Sequence, residues 1–173
     1  MMHTEGLHFQ YKNEAKIIKN LSLTFSSNAI TSIIGPNGCG KSTLLKLLSR
    51  NLKPSSGVIY LNQQDLKKFS KKALAHELAT VHQTMKIPEG FTVREYIELG
   101  RYSYGSVLNR DQHKEKIIQH TIQQLNLEHL QHKKLITLSG GEAQRVFLAT
   151  ALVQEPQYIL PVSYTHLRAH ETV

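Results

Sequence analysis

Gly35-Pro36-Asn37-Gly38-Cys39-Gly40-Lys41-Ser42-Thr43 is the stretch on which the fold turns. It matches the phosphate-cradling pattern G-x-x-x-x-G-K-[ST] at Gly35, Gly40, Lys41 and Ser42. Glycines let a backbone curl until successive N–H groups point into one concavity, which suits an anion. Lys41 adds a flexible point charge for outer phosphates. Ser42 offers a hydroxyl to a magnesium ion that also touches the phosphates. The positive end of the following helix aims at the same place. Cys39 reads as a small side chain that fits the loop.

The flanks supply the context the pattern requires. Ile30-Thr31-Ser32-Ile33-Ile34 is a short β-branched run that reads as a buried strand. Leu44, Leu45, Leu47 and Leu48 recur at helical spacing after the loop.

Composition narrows the class. The 173 residues are 40% apolar and 20% charged, a globular balance rather than a disordered or membrane one. The longest apolar-leaning run, Val146 to Val153, is too short for a bilayer, which needs about 20 residues. Met1 to Gly6 lacks a basic flank and apolar core, so no secretory signal is expected. One cysteine excludes an internal disulfide and fits a reducing compartment. The net charge of +8 raises the question of nucleic acid. Its lysines fall in separate clusters, such as Lys67, Lys68, Lys71 and Lys72, with no aromatic residues interleaved as a stacking platform would need. They read as solvated faces, and a nucleic-acid partner is not expected.

Leu7 to Tyr11 and Leu21 to Phe25 alternate as half-buried antiparallel strands, with a turn at residues 12–14. Residues 53–57 stop the first helix, and Val58 to Leu61 forms another strand. Ala73 to Leu78 predicts a short helix, and Ala79 to Gln83 a strand with a polar tip. Ligands gather at the carboxyl ends of strands in α/β sheets, so Gln83 is a site candidate. Lys86 to Gly90 reads as a linker. Thr92 and Glu95 form a capping box, and Gly100 is placed to end that helix in the left-handed conformation. A loop over residues 102–109 follows. A further helix is expected over Arg110 to Leu127, making residues 86–137 a helical insertion.

Ser139 and Glu142 make a second capping box, heading a helix from Glu142 to Val153. Gly140 and Gly141 beside that N-terminus offer a second place where N–H groups and the dipole converge on an anion. Tyr158 to Leu160 starts a strand, but Pro161 falls where a central strand should continue, and the pattern breaks there. His166 and His170 stand at i and i+4, without a carboxylate at a convincing spacing for a metal.

Together these motifs resemble the ATP-binding subunit of ABC transporters over residues 3–160. The carriers are the loop at Gly35–Thr43, the strand-ending Gln83, and Leu138-Ser139-Gly140-Gly141-Glu142 followed by Ala143-Gln144-Arg145. The family more often has Gln where Glu142 stands and Arg where Thr150 stands. The resemblance implies a P-loop α/β core with an antiparallel β-subdomain and a helical insertion, its core sheet incomplete. It divides the chain into a core over residues 1–85, a helical subdomain over 86–137 and a signature segment over 138–160. ATP and Mg2+ are the implied ligands. Tyr11 would stack on adenine, Gln83 would touch magnesium and sense a membrane partner, and Ser139, Gly140 and Gly141, headed by Glu142, would meet ATP held by a second subunit. Two chains would close head to tail around two nucleotides, at the cytoplasmic face of the membrane, against permease subunits and indirectly a substrate-binding protein. Residues 88–95 with Gly100, Arg101 and Tyr102 are similar to importers of iron-siderophore, haem and vitamin B12. Arg101 also reads simply as a basic residue at a helix C-terminus.

The match stops before the family's Walker B aspartate and catalytic glutamate. Residues 161–173 resemble translated sequencing adaptor, a scar rather than part of the fold. The expectation is a fragment that binds ATP weakly and hydrolyses it negligibly. The alternative within the family is a soluble ATPase acting on nucleic acid or ribosomes, although no second cassette or long coiled insertion is present.

Overall fold

The computed structural model describes residues 1–12, 15–26, 28–82, 89–104 and 113–162. Strand β1 (Met2–Phe9) lies between β2 (Ile18–Phe25) and β3 (Ser56–Leu61), antiparallel to both. The short β4 (Gln64–Asp65) completes a four-stranded sheet in the order β2-β1-β3-β4. β1 starts five residues before the expected Leu7. The alternation there is hidden by Thr4, which is buried yet polar, and its hydroxyl donates to Leu21 O and accepts from Leu23 N.

Helix α1 (Lys41–Leu48) packs Leu44, Leu47 and Leu48 onto this sheet beside Leu7, Ile59 and Leu61. A fully buried leucine contributes about 1.5–3 kcal/mol, so this short face anchors the start of α1 and the loop before it.

Helix α2 (Lys71–Glu77) follows, capped by Ser70, whose Oγ accepts from Ala73 N. Leu78 leaves the helix one residue earlier than expected and begins β5 (Leu78–His82). β5 pairs in parallel with β6 (Tyr158–Val162), in a second, two-stranded sheet. β6 runs through Pro161, opposite Val81, so the expected break at that residue is not a break. Among the described residues β6 has one partner and so is an edge strand, and an edge strand tolerates a residue without N–H on its open side.

The run Ile30 to Ile34 is not the buried strand its composition suggests. It carries no strand assignment, and among the described residues no strand pairs with it. Ile30 is 100% and Ile34 92% exposed, while Ile33 is partly buried against the sheet core. Strand formation needs a neighbouring ladder, and composition alone does not supply one.

The second core is helical. α3 (Val93–Leu99), α4 (Lys114–Gln124) and α5 (Gly140–Leu152) bury Val93, Ile97, Ile118, Ile122, Val146 and Phe147 together. α4 is shorter than the expected 110–127, and residues 105–112 lie outside the described ones. Gly100 ends α3 in right-handed, not left-handed, geometry, with φ −60°. Its glycine has a different cause. A Cβ there would collide with the Thr150 carbonyl and the Val153 side chain of α5 and its end, so only glycine lets the two elements approach this closely.

Candidate functional site

The loop 35–40 is built on two elements, β2 and α1. Gly40 sits at the N-cap of α1 with φ 99° and ψ 7°, a left-handed backbone. A Cβ at Gly40 would fall 2.9 Å from Ile17 Cγ2 and 3.1 Å from Ile18 Cδ1, so Ile17 and the start of β2 press directly against the loop. Gly38 is also left-handed, at φ 80°, with open space around it. The contact from Ile17 and Ile18 was not legible beforehand. Nothing in two adjacent isoleucines signals a glycine on their far side.

No side chain caps α1, and no acidic residue occupies its first turn. The first N–H groups of a helix lack intrahelical partners, so this end is polar, positive and directed into the glycine loop. Lys41 Nζ donates to Gly35 O and Pro36 O, both at 2.7 Å. It lies 3.9 Å from Cys39 Sγ. The lysine thus folds across the loop it would serve. Cys39 is exposed. Asn37 is exposed and Ser42 half-buried; Thr43 is buried at the base of α1. Tyr11 follows the end of β1, with its hydroxyl 3.5 Å from Thr43 Oγ1 and its ring edge-on to Phe9 at 4.9 Å. The structure therefore brings Tyr11 to the loop helix. Gln83 lies outside the described residues.

The second glycine turn has another design. Ser139 caps α5, and its Oγ accepts from Glu142 N at 3.4 Å. Glu142 Oε2 accepts from Ser139 N at 2.8 Å and from Ser139 Oγ at 2.7 Å. The Ser139 hydroxyl, then its backbone N–H, hold the Glu142 carboxyl below its ordinary value, helped by the charges of Lys133 and Arg145. Gly140 and Gly141 are exposed, and a Cβ at either would meet nothing within 4 Å. Neither has a left-handed backbone. Among the described residues nothing accounts for glycine at these two positions.

The two turns do not touch. Among the described residues no hydrogen bond or ion pair joins 35–43 to 139–142, and α1 and α5 belong to different cores. Among the described residues no carboxylate bonds to the loop, and no cluster of three or more His, Cys, Asp or Glu residues could hold a metal. His166 and His170 lie outside the described residues. Arg101 is not an exposed helix-end charge: it is only 4% exposed, paired with Glu155 Oε2 at 2.7 Å. No described helix is long and apolar enough to cross a membrane.

Comparison with known proteins agrees with this geometry. The profile described as "ABC transporter" matches residues 18–161. The iron(3+)-hydroxamate import ATP-binding protein FhuC of Bacillus subtilis is 35% identical over 98% of this chain and 64% of its own length. The achromobactin transport ATP-binding protein CbrD of Dickeya dadantii is 38% identical over 90% of this chain and 59% of its own. The ferric enterobactin transport ATP-binding protein FepC of Escherichia coli is 34% identical over 83% and 54%. The chain thus spans 54 to 64% of the length of these relatives. Among solved structures, the dimeric bacterial ABC transporter cassette MJ0796 has a TM-score of 0.78 at 27% identity, covering 93% of this chain and 73% of that one. An inward-facing conformation of a putative metal-chelate type ABC transporter has a TM-score of 0.75 at 27% identity, covering 92% and 58%. With the profile spanning both glycine turns and the described fold overlaying solved P-loop cassettes, the chain belongs to the ABC transporter family.

Proposed function

We propose that this chain is the nucleotide-binding part of an ATPase that powers import of an iron-siderophore or related chelate. The observation that carries the reading is the start of α1, which no side chain caps and no acid neutralises, opening into a left-handed glycine loop. Such an end takes the phosphates of a nucleotide. In this reading Gly35 to Gly40 supply backbone N–H groups, Lys41 leaves Gly35 O and Pro36 O for the outer phosphates, and Tyr11 packs against the base. Ser42, with Gln83, would hold Mg2+, whose charge screens the phosphates. Gly140 and Gly141 would meet the nucleotide of a second copy, which supports a head-to-tail pair. The chelate is supported by the named roles of the three relatives. Permease subunits, the cytoplasmic face of a membrane and the division at 85/86 and 137/138 belong to the same proposal. α5 packs in the helical core all the same.

Calorimetric titration with ATP tests the reading. Binding that Lys41→Ala weakens supports it; binding indifferent to Lys41 sinks it. Hydrolysis by this chain should be negligible, because no carboxylate among the described residues bonds to the loop to anchor the metal or polarise water.

A further inference from the structure

The short segment between α5 and β6 is gripped from two sides. On one side stands the end of α3. Arg101 Nη1 donates to Val153 O at 2.9 Å and to Glu155 Oε2 at 2.7 Å. Its guanidinium lies 3.6 Å from the centroid of the Tyr104 ring. The Tyr104 hydroxyl donates to Gln154 O at 2.7 Å. Gly100 lets the two elements close to backbone contact at Thr150. On the other side stands the four-stranded sheet. Asn62 Nδ2, just beyond β3, donates to Gln157 Oε1 at 2.8 Å and to Glu77 Oε2 of α2 at 3.0 Å. His76 of α2 meets the Tyr104 ring edge-on at 4.2 Å. The helical core and the sheet core are thus joined at one polar node, and its central cation is buried.

We propose that Arg101, with Tyr104 and Glu155, is a positioning clasp: it ties the end of α3 to the end of α5 and to the segment leading into β6, and so sets where the Ser139–Glu142 turn at the opposite end of α5 points. The geometry of α5 explains why its far end matters. A helix of 13 residues is a rod of about 20 Å at 1.5 Å per residue. A small tilt at Val153 becomes a larger displacement at Gly140. Guanidinium suits the node because a single planar group reaches a carbonyl, a carboxylate and a ring face together. The link to nucleotide rests on the function proposed above; the mechanical part does not.

Two spin labels separate the two parts. Thr24→Cys on β2 and His132→Cys before α5, in a Cys39→Ser background, report the distance between sheet and helical unit; both positions are exposed. The unaltered node should give one distance population. Arg101→Met keeps the apolar stem and should add a second, displaced population, which Arg101→Lys should largely remove. Tyr104→Phe deletes only the hydroxyl bound to Gln154 O and should shift the distribution less. A folded Arg101→Met with the unaltered distribution overturns the clasp. If Arg101→Met fails to fold, an unchanged distribution in Tyr104→Phe overturns it. In the longer protein, Arg101→Met should lower kcat about tenfold while KM for ATP holds, the mark of an interaction made beyond initial binding. Equal loss of nucleotide affinity would contradict positioning. If ATP does not bind the unaltered protein at all, the functional reading fails, and the distance result still decides the clasp.

Discussion

The two glycine turns head helices of similar look and opposite bonding. α1 starts at Gly40 with no side-chain cap and no acid. α5 starts at Ser139 with a full capping box and Glu142 in its first turn. The first turn needs an outside group to satisfy its N–H donors, and Ile17 and Ile18 press its backbone into shape. The second satisfies the N–H groups of Ser139 and Glu142 through its own box and leaves open space over Gly140 and Gly141. Under the proposed function both turns would meet nucleotide, and the bonding separates an uncapped helix start from one held by its own cap.

The sharpest way to break this contrast is Lys41→Ala. It should weaken ATP binding about 10- to 100-fold, the worth of about 1.4–2.8 kcal/mol of charge-assisted bonding, as read by calorimetry. Ser139→Ala should leave binding to the isolated chain unchanged.

Glycine replacement comes next. Gly40→Ala meets a left-handed backbone and two isoleucine side chains, so it should destabilise by about 1–3 kcal/mol. Gly140→Ala meets neither and should stay within about 0.5 kcal/mol. Urea unfolding midpoints compare them. Equal losses would erase the distinction between a turn shaped by its neighbours and one shaped by its caps.

Ser139→Ala removes a cap that α1 does not have, at about 1 kcal/mol, read in the same unfolding curves. The smallest effect is on pH. The Glu142 carboxyl is held below its ordinary value of 4.5 by the Ser139 hydroxyl and N–H. Glu95 is held down likewise, first by the Thr92 N–H. A carboxyl with a lowered folded value stabilises the fold fully above its unfolded value. That contribution is lost as pH falls from about 4.5 through the lower folded value. Glu142→Gln should lower the neutral plateau slightly and flatten this acid limb, because the stabilisation that acid removes is then already absent. An unchanged limb would show that the box does not persist in solution.

Local features were legible because they are local. The Thr92–Glu95 and Ser139–Glu142 boxes need only residues three apart, and both formed. The loop pattern and the Leu44–Leu48 face are of the same kind. The misreadings share one cause. Ile30 to Ile34 has strand composition, yet a strand is a relation between two segments, and no described strand pairs with it. Gly100 suggested a left-handed stop, when what it answers to is Thr150, fifty residues away. Pro161 read as a break because an edge strand and a central strand look alike from one chain alone.

By itself the sequence determined the two capping boxes that start α3 and α5 and the two glycine turns, because backbone donors and short polar side chains act over a few residues. Tertiary structure alone decided which runs find a ladder, that Ile17 and Ile18 lie close against Gly40, and that Arg101 is buried beside the end of α5. Those depend on which surfaces meet after the chain has turned back on itself, and no spacing along the chain encodes that.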